Sequence, residues 1–129
     1  MAITLLDASM AGLVEAILII AMAVIILVEA GVMAIMKLNP FGKCLLDSFI
    51  VNLVSLGVGY LISLFYPIVL GGDSFMSLFV GFIVSVLVEG GSLQLLNRKK
   101  PAKQVWKTNV VMNTVTYACF LIIFIIQNS

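Results

Sequence analysis

Four long apolar runs, separated only by short polar breaks, restrict this chain to one kind of solvent. They extend from about Met10 to Met36, Cys44 to Phe65 and Ser74 to Leu96, with a last run ending near Ile126. A helix rises 1.5 Å per residue, so about 20 apolar residues cross a hydrocarbon core. Each run is long enough. A chain of 129 residues that is 63% hydrophobic and 10% charged cannot hide this surface in a water-soluble core; soluble domains carry about 25% charged residues. The expected fold is an all-α integral membrane protein: one membrane domain over residues 1–129, with four transmembrane helices and the lipid bilayer as its main partner. The first run exceeds the spanning length, so it should tilt or project outward.

The cations set the threading. Lys37 and Lys43 form one window, and Arg98, Lys99, Lys100, Lys103 and Lys107 form the other. Both windows separate apolar runs, and basic loops stay on the cytoplasmic side. This places both termini outside and predicts a multi-pass protein of the cell (inner) membrane. Arg98, Lys99, Lys100 and Lys103 also suit contact with anionic lipid headgroups; a nucleic-acid role is not expected. Residues 37–43 read as a short turn with Pro40 and Gly42 as breakers, and Gly71-Gly72-Asp73 reads as an outer turn. Asp7 or Ser9 is expected to cap the first helix. Asp47 and Asp73, near helix ends, are expected in solvent, and Trp106 at an interface.

The chain repeats itself. Leu27-Val28-Glu29-Ala30-Gly31 matches Leu87-Val88-Glu89-Gly90-Gly91 at an offset of 60. After one extra loop residue the offset becomes 61: Pro40 meets Pro101, Ser48 meets Asn109, Asn52 meets Asn113, and Ser55 meets Thr116. Polar positions match polar positions inside apolar helices. The chain therefore reads as two tandem hairpins, residues 10–66 and 74–127, similarly threaded. They form a parallel internal repeat about an axis along the membrane normal.

The repeat concentrates polar chemistry at one depth. Glu29 and Glu89 each lie roughly 12–14 Å from the nearest basic window, close to the depth of Asn52 and Asn113. Asn52 with Ser55, and Asn113 with Thr116, share a helix face, which Ser48 and Asn109 extend by a turn. Ser77, Gly81, Ser85 and Glu89 recur every four residues, a small-residue stripe that admits another helix closely. A charge at this depth costs at least ~2.5 kcal/mol without a partner. Glu29, Glu89, Asn52 and Asn113 thus form the candidate ion or proton site, supported by Ser55, Thr116, Ser85, Ser48 and Asn109.

Other chemistry finds no footing. There is no His and there are two lone cysteines, Cys44 and Cys119, expected at different depths and unpaired. No metal-ligand or catalytic-triad spacing occurs, so neither enzymatic activity nor a cofactor is expected. Gly57-x-Gly59 with Tyr60 reads as helix packing. Two functions fit: a small proton- or cation-linked transporter or channel component using its intramembrane glutamates, or a non-transporting scaffold or accessory subunit in which the same residues fix helix register. Four helices barely enclose a pathway, so a homo-oligomer or a larger membrane complex is expected.

Overall fold

The computed structural model describes the backbone of residues 2–66 and 75–129, with side chains from residue 7 onward. The Gly71-Gly72-Asp73 turn and the Asp73 side chain lie outside the described residues. All regular structure among those described is helical: α1 (Ala2–Ile35), α2 (Phe41–Phe65), α3 (Phe75–Leu96) and α4 (Ala102–Gln127). Each helix is long and apolar enough to cross a membrane, which makes this a multi-pass membrane protein. Helix α1 begins well before its apolar run, so Asp7 and Ser9 lie inside it and neither caps it.

The helices form a four-sided ring. Neighbours pack in the order α1–α2–α3–α4 and back to α1, while the diagonals α1–α3 and α2–α4 share no contact among the described residues. Side chains on opposite corners therefore meet only across the central axis.

Burial is confined to one half of the ring. Glu29 is the first buried described residue of α1 and Glu89 the first of α3; Asn52 is the last of α2 and Thr116 the last of α4. From this level to the 36–40 and 97–101 connections the interior is packed by Ala30, Met33, Leu38, Cys44, Val51, Leu93, Val105 and Met112. Beyond it, toward residues 60–66 and 117–127, the helices expose most of their side chains. Every described side chain from Asp7 to Ala21 is exposed. At 34 residues, α1 extends roughly 50 Å, well past a hydrocarbon core of about 30 Å.

The packed end owes its order to short connections with defined caps. Lys37 takes φ 57°, the left-handed conformation that ends a helix. The Leu38 amide then donates to the Met33 carbonyl and the Lys37 amide to the Ala34 carbonyl, both at 3.0 Å. Leu38 is thereby carried into the core beside Met33, the apolar contact that accompanies this cap. Pro40 and Pro101 stand at the N-caps of α2 and α4. Their missing N–H groups cost nothing there. Gly42 breaks nothing; it lies within the first turn of α2.

A polar clasp joins the hairpins at this end, and it corrects the expectation for Asp47. Asp47 is 2% exposed, not solvated. Its carboxylate accepts from Lys43 Nζ at 2.8 and 2.9 Å, from Asn97 Nδ2 at 3.0 Å and from Asn39 Nδ2 at 3.2 Å. Asn39 also donates to Asn97 Oδ1 at 2.6 Å, and Gln104 Nε2 donates to the Lys37 carbonyl at 3.3 Å. A buried carboxylate survives only when its oxygens are met this fully.

Candidate functional site

The four residues picked out by the repeat meet at the boundary between the packed and open halves. Glu29 comes from α1, Asn52 from α2, Glu89 from α3 and Asn113 from α4, so acid and amide alternate around the ring. Within each hairpin the amide donates to the acid. Asn52 Nδ2 makes a very short bond to Glu29 Oε2, and Asn113 Nδ2 donates to Glu89 Oε2 at 2.9 Å.

The hairpins also cross-link at this level. Thr116 on α4 donates to Glu29 Oε1 at 3.3 Å, while Ser55 on α2 approaches Glu89. Each acid is therefore held from both neighbouring helices. The amides are themselves anchored to the preceding turn: Asn52 bonds the Ser48 carbonyl at 2.9 Å and Asn113 the Asn109 carbonyl at 3.2 Å. Both glutamates are buried, at 1% and 3% exposure.

The two halves are not equivalent. Ser48 donates directly to Glu29 at 3.0 Å. Its partner in the sequence match, Asn109, reaches past Glu89 and donates to the Val86 carbonyl of α3 at 2.8 Å. Glu29 thus has two close donors, Asn52 and Ser48, with Thr116 dividing its one proton between Glu29 and the Met112 carbonyl; Glu89 has one close donor, Asn113, with Ser55 beyond it. A buried acceptor that loses its one close donor is costly, so Asn113→Leu is expected to destabilise the fold more than Asn52→Leu, which leaves Glu29 its Ser48 bond. The expected loss is about 1–2 kcal/mol for the former and less for the latter. Reversible unfolding in detergent measures both, and equal losses would contradict the asymmetry.

The small-residue stripe on α3 faces α4. A Cβ at Gly81 would stand 3.3 Å from Tyr117 Oη, and Ser85 shares a hydrogen bond with the same hydroxyl at 3.0 Å. Tyr117 is further held edge-on by Phe82 and Phe120, with ring centroids 5.4 Å apart in each case. It is the main residue of the site that the sequence reading missed. Its signal was present, since Tyr117 follows Asn109 and Asn113 at intervals of four on one helix face.

Above the four residues lies a cavity of about 480 Å³, lined by all four helices. Glu29, Glu89, Asn52 and Asn113 line its closed end; Tyr60, Ser63 and Phe120 line its wall toward the open half. Gly57 and Gly59 do not serve helix packing, because a Cβ at either would meet nothing within 4 Å; Gly59 instead widens the cavity. Among the described residues no group of His, Cys, Asp and Glu could hold a metal ion. Cys44 and Cys119 are both free.

No known protein family, curated protein or solved structure matches this chain.

Proposed function

We propose that this chain is a small proton- or cation-linked transporter or channel component, in which Glu29 and Glu89 take up and release the transported charge and Asn52 and Asn113 tune them. One observation carries the reading: a cavity large enough for ligand or water ends on both buried carboxylates. Acids that serve only as interhelical glue need partners and no cavity. Ionisable groups that face a cavity inside a membrane mark ion and proton pathways.

The same proposal takes the chain as two duplicated hairpins related by a pseudo-two-fold axis. The acid–amide bond within each hairpin and the crossed Thr116 and Ser55 approaches support that reading. The basic connections then lie in the cytoplasm and the termini outside, in the inner membrane of the cell. The cavity accordingly opens outward. Arg98, Lys99, Lys100 and Lys103 contact anionic lipid, and the functional unit is a homo-oligomer or part of a larger membrane complex.

A second reading, a non-transporting scaffold, draws on the side-chain bonds that hold Glu29 to the neighbouring helices. Proteoliposomes with an imposed pH gradient and a trapped pH-sensitive dye separate the two. Transport predicts that wild type dissipates the gradient and that Glu29→Gln and Glu89→Gln each return it to the level of empty vesicles. No flux in wild type, or equal flux in all three, would sink it. The scaffold reading predicts instead that the same changes alter only the oligomers seen in detergent.

A further inference from the structure

We propose that the cavity binds an organic ammonium ion with an apolar body; this rests on the reading of Glu29 and Glu89 as cation-linked groups and names the class of cation they serve. Size argues first. A bare cation needs a close shell of oxygens, whereas about 480 Å³ is far more than one water's share of roughly 30 Å³. It lies within the range of roughly 300–1,000 Å³ typical of small-molecule sites.

Charge argues second. Two carboxylates line the closed end, and among the described residues no Lys or Arg lines any part of the cavity. An anion entering it would meet like charge with no compensation. The wall argues third. Met22, Ile25, Leu56 and Val84 are apolar, and they suit a hydrocarbon body. Tyr60, Tyr117 and Phe120 add aromatic rings, whose faces attract ammonium groups. Tyr117 is fixed in place by Ser85 and two edge-on rings, so this part of the wall is already formed.

The floor supplies a preference between the acids. Glu29 is engaged by Asn52 and Ser48, with Thr116 nearby, whereas Glu89 has one close donor. Glu89 is the carboxylate that receives the ammonium.

Calorimetry on the purified protein in detergent tests this with three probes sharing a phenethyl body: phenethylammonium, neutral 2-phenylethanol and anionic 3-phenylpropanoate. The cation is expected to bind at least tenfold more tightly than either other probe. Gly59→Leu, which adds a side chain into open space on the cavity wall, is expected to weaken the cation at least tenfold with no loss of stability. Equal binding of cation and alcohol, no cation binding, or indifference to Gly59→Leu would each overturn the proposal. Glutamate-dependent proton flux without ammonium binding would remove this inference and leave the proposed function standing.

Discussion

Asp47→Ala is expected to loosen the closed end of the bundle by about 2–4 kcal/mol. The carboxylate accepts from Lys43, Asn39 and Asn97. Asn97 comes from the other hairpin, so Asp47 links the two as well as neutralising Lys43. Removing it takes one acceptor from half-buried Asn39, which keeps Asn97 Oδ1, and one from buried Asn97, which keeps the Leu93 carbonyl. Lys43 is 44% exposed and can turn to water, which keeps the loss below that of a fully buried ion pair. Asp47→Asn retains the volume and part of the bonding and should fall between. Cys44 gives a local readout. It is buried, with Sγ 3.2 Å from the Asn39 carbonyl at the edge of the clasp. In a Cys119→Ser background, Asp47→Ala should speed Cys44 labelling at least tenfold. Unchanged labelling and stability would show that the clasp does not hold this end shut.

The second large effect is expected at Gly90. A Cβ built there would stand 2.4 and 2.7 Å from the Trp106 ring and 2.8 Å from Asn109 Nδ2. Neither neighbour yields easily. The indole is a rigid plane, and the Asn109 amide is tied to the Val86 carbonyl at 2.8 Å. Gly90→Ala should therefore cost about 1–3 kcal/mol through overpacking, and should disturb the approach of α3 to α4 that places Asn113 against Glu89. Gly31→Ala and Gly91→Ala are the controls, since a Cβ at either meets nothing within 4 Å. These should be neutral, or stabilising by up to about 1 kcal/mol through helix propensity. Unfolding of the three variants in one detergent compares them directly. Equal behaviour would refute the close contact.

That contrast shows how the sequence was informative and where it misled. The repeated Leu-Val-Glu-x-Gly drew attention to the shared glycines, yet the packed positions are the intervening Ala30 and Gly90, both buried. Identity between the two matching stretches marks the right turn of helix and the wrong residue, because close approach depends on which way a position faces. The four helices and the acid–amide depth were legible, since both follow from helix rise and the cost of polar groups in lipid. Asp47 was not. Its distance from the bilayer centre suggested water, and only the meeting of Asn39 and Asn97 from separate connections reveals a buried partner set. The opposite charges of Lys43 and Asp47, four residues apart, were the available hint. Trp106 reads as an interfacial anchor; the structure adds that its ring packs onto α3 at Gly90.

The one-sided burial has an electrical consequence. Where water enters the open half of the ring, the dielectric there is high and the membrane voltage hardly falls across it. The potential drop concentrates over the short dry segment between the glutamates and the clasp. A charge leaving Glu29 or Glu89 toward the basic end would then cross nearly the full voltage, about 2.3 kcal/mol for each 100 mV. A charge arriving from the open half would cross almost none. Uptake would be blind to membrane potential and release would be driven by it, so any flux through this chain should rectify.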